Sequence, residues 1–260
     1  MKFKNIFTVL FLTVTSLVGM SSCSDDSVPP VSLITVEDAA QIASEDTIQL
    51  DAFAKGISFE IVGGEGNYVI KNHHENIVDY RYDGKILTFT PKGLGTATVQ
   101  IFDIAGNGFT LYIKVTYHET VFQVKSLESD AFGENMTLGK VNELKKRIKE
   151  DSMVQPGGLY VFTFRNESQN EGSVDVFSKE TDKPLSGVFR MERKYTEEGQ
   201  IYQQYLITMA SGDVHKMMLM EYKLGAEQTT VHVFREDVTA AYQLAYSELE
   251  KAVLIQELNF

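Results

Sequence analysis

Val78-Asp79-Tyr80-Arg81-Tyr82-Asp83-Gly84-Lys85-Ile86-Leu87-Thr88-Phe89 is the stretch on which the fold reading turns. Asp-Gly between two alternating runs is the dipeptide favoured by a two-residue type I′ hairpin turn, because both central residues take positive φ. A two-residue loop pairs Tyr82 with Lys85, Tyr80 with Leu87 and Val78 with Phe89, and opposed residues share a face. That register puts Val78, Tyr80, Leu87 and Phe89 on one apolar face and Asp79, Arg81 and Thr88 on the other. Turn chemistry and hydrophobic pattern therefore agree on an antiparallel hairpin with one wet face.

The same rhythm continues on both sides of the hairpin. Ile57 to Val62 is apolar and β-branched and ends at Gly63-Gly64-Glu65-Gly66, and Tyr68 to Ile70 leads into a polar loop at Lys71 to Asn76. Downstream, Ala97, Val99 and Ile101 alternate with Thr98 and Gln100. Phe109, Leu111, Ile113 and Val115 alternate with Thr110, Tyr112 and Lys114. Turn residues recurring every eight to twelve or so positions are the spacing of a β-sandwich. The spacing predicts about seven short strands for a first domain over 46–117.

Three pieces of this region carry a resemblance: Glu60-Ile61-Val62-Gly63-Gly64-Glu65-Gly66-Asn67-Tyr68, the Asp83-Gly84 hairpin, and Lys92-Gly93-Leu94-Gly95-Thr96-Ala97-Thr98-Val99. They resemble the bacterial Ig-like (BIG-type) repeat. The resemblance implies an immunoglobulin-like sandwich serving as spacer or adhesive unit, with no catalytic residues.

A second domain is predicted over 126–260. Leu138, Val141, Leu144 and Ile148 recur at helical spacing, with Glu143 and Arg147 as an i, i+4 pair, until Gln155-Pro156-Gly157-Gly158 stops the helix. Strands follow at Leu159 to Arg165, Ser173 to Ser178, Val188 to Tyr195, Ile201 to Met209, Val214 to Tyr222 and Thr229 to Phe234. Met217-Met218-Leu219-Met220 lacks alternation and reads as a strand buried on both faces, under the helix. Asp237 is placed to cap a helix from Val238 with Tyr242, Ala245 and Leu249 on one face. Residues 252–258 close the chain, as a strand rather than a continuation of that helix. The fold class expected for the chain is mainly β: an immunoglobulin-like sandwich, then an α+β domain with a helix packed on an antiparallel meander.

The N-terminus reads as an address. Lys2 and Lys4 precede an apolar run from Ile6 to Met20, shorter than the roughly 20 residues a membrane span needs and laid out as an export signal over 1–22. Cys23, the single cysteine, follows Met20-Ser21-Ser22, and this site resembles the lipobox of bacterial lipoproteins, with Met20 where Leu is usual. Ser24-Asp25-Asp26 resembles the surface-export signal of Bacteroides-type lipoproteins. The resemblance implies a lipidated Cys23, palmitate among its acyl chains, an outer-membrane lipid anchor at the cell surface, and a tether over 23–45. Asp26-Ser27-Val28, Asp46-Thr47-Ile48 and Asp151-Ser152-Met153 resemble the O-glycosylation sequon of the same organisms, making Ser27, Thr47 and Ser152 candidate glycan acceptors. Each Ser or Thr is equally readable as a cap or turn residue.

The 260 residues carry 24 basic and 36 acidic side chains, a net charge of −12, which excludes the basic patch a nucleic-acid partner wants. One cysteine excludes an internal disulfide. His73-His74 would point to opposite faces of an extended segment, so no metal and no cofactor are expected. No nucleophile elbow, P-loop or H-E-x-x-H is present, and the chain reads as a non-enzyme. Tyr112 and Tyr202 are candidate ligand-contact residues on wet strand faces. The expected function is a lipid-anchored, non-enzymatic adhesion or interaction module whose partners are the membrane and an envelope protein or surface glycan. The alternatives are a glycan-binding accessory of a surface polysaccharide-uptake system and a secreted hydrolase.

Overall fold

The computed structural model describes residues 28–224 and 229–260. The export segment, Cys23, Ser24, Asp25, Asp26 and Ser27 lie outside the described residues.

Nine strands form the first unit: β1 (Ser32–Thr35), β2 (Gln41–Ile42), β3 (Thr47–Asp51), β4 (Ile57–Val62), β5 (Val69–Asn72), β6 (Val78–Tyr82), β7 (Ile86–Pro91), β8 (Gly95–Phe102) and β9 (Gly108–Thr116). They make two sheets, ordered β2-β1-β4-β7-β6 and β3-β9-β8-β5. One core lies between the sheets. Leu33, Phe59, Val78, Leu87 and Phe89 enter it from the first sheet, and Ala97, Val99, Ile101, Phe109, Leu111, Ile113 and Val115 from the second. These are the inward sets that alternation predicted on β8 and β9. The part of the chain read as tether supplies two strands, because Leu33 and Ile42 are apolar enough to join this core.

The β6–β7 register differs from the expected one by two residues: Tyr80 pairs with Phe89 and Tyr82 with Leu87. Gly84 has φ +95°, but Asp83 does not take the positive φ that a type I′ turn requires. Instead the Asp83 carboxylate accepts from the backbone N–H groups of Lys85 (3.0 Å) and Ile86 (2.8 Å), which widens the loop and holds that carboxyl below its ordinary range. A shift of two preserves which face each side chain takes. Tyr80 is nonetheless exposed rather than in the core, since β6 is an edge strand beyond Val78 and the Tyr80 hydroxyl reaches the Ile70 carbonyl.

The rest of the chain is a closed eight-stranded barrel, not an open meander. Its strands are β10 (Glu119–Phe132), β11 (Leu159–Phe164), β12 (Glu171–Phe177), β13 (Leu185–Tyr195), β14 (Ile201–Met209), β15 (Val214–Leu224), β16 (Thr229–Asp237) and β17 (Lys251–Asn259). Each pairs antiparallel with the next, and β17 returns to pair with β10. Two helices interrupt the sequence, α1 (Leu138–Glu150) after β10 and α2 (Thr239–Tyr242) after β16.

β10 is the closing strand, and a bulge between Val124 and Ser126 lets it serve two partners. Before the bulge Phe122 and Val124 point inward; after it the inward set is Leu127, Ser129 and Ala131, because one extra residue reverses the alternation. The inner faces of β10 and β17 thus continue past the barrel core and pack on α1. Leu144 and Ile148 of α1 meet Ala131, Ala252, Leu254, Tyr242, Tyr246 and Leu249, closing one end of the barrel. Thr137 caps the helix, and Arg147 and Lys149 complement its C-terminal dipole.

The helix therefore does not cover the methionine strand. Met217 and Leu219 face the barrel interior, while Met218 and Met220 are half-buried on the outside. Arg147 pairs with Asp151 (3.4 Å), not with Glu143. The helix expected from Val238 is a single turn, with Asp237 accepting from the Thr239 N–H as expected, and Tyr246 is buried where Ala245 was expected.

The two units meet at a short junction. Phe53 stacks on Tyr117 at 5.8 Å, the Arg165 guanidinium lies over the Tyr117 ring at 5.9 Å, and Gln169 donates to Asp51 at 3.4 Å. The N-terminal segment leaves from the other pole: the Gly64 N–H donates to the Pro29 carbonyl beside Asp103, at the turn where β9 begins. β9 then runs nine residues toward the barrel, about 30 Å at a strand's rise of roughly 3.4 Å per residue.

Candidate functional site

An eight-stranded barrel has an interior that side chains can fill or that can hold one small ligand. Here it is filled. Phe122, Tyr160, Phe162, Phe164, Phe189, Tyr205 and Phe234 point inward from five strands and touch one another across the axis. Phe162 on β11 meets Tyr205 on β14 at 4.8 Å, and Phe122 on β10 meets Phe234 on β16 at 5.1 Å. Rings from non-adjacent strands at these separations leave a packed core, and edge-to-face pairs of this kind add about 0.5–1.5 kcal/mol each beyond their burial.

Tyr160 and Gln256 are partnered inside the barrel. The Tyr160 hydroxyl donates to Gln256 Oε1 at 2.9 Å, and Gln256 Nε2 donates to Ser152 Oγ at 3.4 Å, which donates on to the Val154 carbonyl. Burial pushes the Tyr160 and Tyr205 phenols far up. Toward the helix-closed end, His215 Nδ1 lies 2.9 Å from Glu236 Oε1, and the hydrogen bond to Glu236 raises the imidazole's affinity for its proton. Tyr242 donates to Asp151 at 3.1 Å, and desolvation first, then that carboxylate, push its phenol up to about 12. Sequence reasoning placed His215 on a strand but had no way to see Glu236 opposite it.

Around this filled interior runs the barrel's outer wall. Arg190, Glu192 and Lys194 on β13, Lys216 on β15, Arg235 on β16 and Lys251 on β17 alternate with inward residues and put charge around the wall. Apolar inside and charged outside is the reverse of a lipid-embedded barrel. Among the described residues no helix is long and apolar enough to cross a membrane.

Tyr202 lies on this wall opposite Lys194, whose ammonium holds Glu192 at 2.7 Å. Met220 and Tyr222 occupy the same face of β15, one strand over, with the Tyr222 hydroxyl on the Met220 sulfur. Tyr112 is on β9 of the sandwich, between Thr47 and Thr98, so the two tyrosines belong to different units and do not form one site. Thr47 is exposed on an edge strand, whereas the Ser152 hydroxyl is engaged in the chain to Gln256 and a glycan there would break it.

The four remaining histidines are used locally. His73 bonds Gln100, His74 Nδ1 accepts from the Thr98 N–H, the His118 ring lies 5.5 Å from that of Phe164, and His232 lies 3.3 Å from Glu221 with its ring edge-on to Phe260. No protein-family model matches the chain, and no curated protein matches it.

Proposed function

We propose that this protein is a non-enzymatic interaction module of the cell envelope, lipid-anchored through Cys23 on the outer-membrane surface. The first unit is an immunoglobulin-like spacer and the barrel wall carries recognition. The observation that carries this reading is the aromatic filling of the barrel, since a barrel without a lumen can recognise only through its surface. The polarity of the molecule supports the spacer role: the N-terminal segment and the barrel lie at opposite poles of the sandwich, so an anchor at Cys23 would hold the wall away from the membrane. Two facing sheets around one core support the Ig-like reading.

The second reading is a glycan-binding accessory of a surface polysaccharide-uptake system. It is favoured by Tyr202, Met220 and Tyr222 on one solvent-facing strip, since sugar rings stack their apolar faces on such platforms. The test is a panel of oligosaccharides and envelope proteins titrated onto the purified chain and its Tyr202→Ala variant. Saturable binding weakened by that variant supports recognition by the wall; binding confined to the sandwich unit contradicts it.

A further inference from the structure

A shallow groove of about 420 Å³ crosses the outer wall over β12, β13 and β14, next to the junction with the sandwich. Its volume falls in the range of small-ligand sites, roughly 300–1,000 Å³. The floor is Val188 and Leu206, 59% and 43% exposed, an apolar pair open to water on a strand face that is otherwise polar. Arg190 on β13 and Arg165 just beyond β11 flank it. Among the described residues neither guanidinium has a carboxylate within 4.0 Å, although the chain carries 36 acidic side chains against 24 basic. Glu171 faces Arg190 across the β12–β13 ladder, and Ser173 lies two residues further along, opposite Val188.

We infer that this groove binds a carboxylate-bearing sugar, a uronic acid unit of an acidic oligosaccharide. The inference rests on the reading of the barrel wall as the recognition surface and names the ligand class. Each lining group has a counterpart in that chemistry. The apolar face of the sugar ring covers Val188 and Leu206. The carboxylate lies between Arg165 and Arg190, whose planar forks match it. The ring hydroxyls donate to Glu171 and exchange hydrogen bonds with Ser173. Glu171 also weighs against the competing anions: a phosphate concentrates between one and two negative charges that meet the carboxylate as like charges and has no apolar face to cover the floor, and an acidic peptide does not present a carboxylate and several hydroxyls on one saturated ring.

Isothermal titration of the purified protein with trigalacturonic acid, its methyl ester, a neutral trisaccharide and inorganic phosphate tests this. The expected result is saturable binding of the acid alone, weakening with salt, and falling about tenfold or more in Arg190→Gln through the loss of one charge-assisted hydrogen bond. Arg190 is exposed, so unchanged thermal unfolding separates lost contact from lost fold. Failure of the acid to bind, equal binding of its ester, or affinity untouched by Arg190→Gln would overturn the proposal. Neutral sugars bound in a manner sensitive to Tyr202→Ala, but not to Arg190→Gln, would overturn it while leaving the wall reading standing.

Discussion

Replacing Tyr160 by Phe removes a hydroxyl from inside the barrel and changes little else. Tyr160 is fully buried and Gln256 is 2% exposed, so after the substitution Gln256 Oε1 is left without its donor in a dry interior. An orphaned buried acceptor costs about 1–3 kcal/mol. Gln256→Leu inflicts the converse loss, stranding the Tyr160 hydroxyl, and its cost is again about 1–3 kcal/mol. The double variant strands neither group and puts apolar atoms in the same space, so its destabilisation falls short of the sum of the two, by about 1–2 kcal/mol. Urea titration followed by the amide resonances of β11 and β17 reads the barrel separately from the sandwich. Strict additivity would refute the reasoning, because it would mean that Tyr160 and Gln256 do not meet inside the barrel.

Three further outcomes are expected. The Glu236 hydrogen bond raises the His215 pKa above 6.5, with Asp213 adding to the effect. The sign follows: the pair contributes fully below the unfolded value, and its stabilisation is lost as pH rises through the folded one. Urea midpoints of the native protein should therefore decline through the neutral range relative to His215→Gln, and parallel curves would count against the pair. Gly84→Val places a β-branched residue at φ +95° with open space around it, so backbone strain alone should cost the sandwich about 1–2 kcal/mol; an unchanged melting temperature would be the contrary result. Cys23→Ala should release the protein from the envelope, and retention with unaltered mass would contradict lipid anchoring there.

Much of the fold was legible because alternation is local. On β8 and β9 the side chains that alternation sends inward are the ones in the sandwich core, and Ile201–Met209 is the strand that the spacing marked. Barrel closure was not legible, and the reason lies in β10. Val121 to Ala131 alternates in two phases separated by the bulge after Val124, so neither half looks like a long strand and the segment reads as linker and loop. Without β10 the meander has two free edges and nothing to close it. Tyr80 shows a different failure: the face was right, but an edge strand turns part of its apolar face to water. The candidate sites divide the same way. Tyr202 and Arg190 were visible as wet-face residues, whereas the sharing of one groove by Arg165 and Arg190, and the meeting of His215 with Glu236, depend on strand neighbours that are not adjacent in sequence.

The claim that recognition belongs to the wall stands on the closure of the barrel, and the pairing of β10 with β17 is its direct expression. Glu128 and Ile255 are Cα partners on the outside of that seam, at the roughly 4.5–5.5 Å that both an antiparallel pair and a disulfide require. With Cys23, the one native cysteine, replaced by Ser, the pair Glu128→Cys and Ile255→Cys should oxidise to an intramolecular disulfide that leaves the β-sheet circular dichroism intact. Two thiols that stay free under mild oxidation, in a chain that is still folded, would mean that the seam is open and that the interior is not the closed core described.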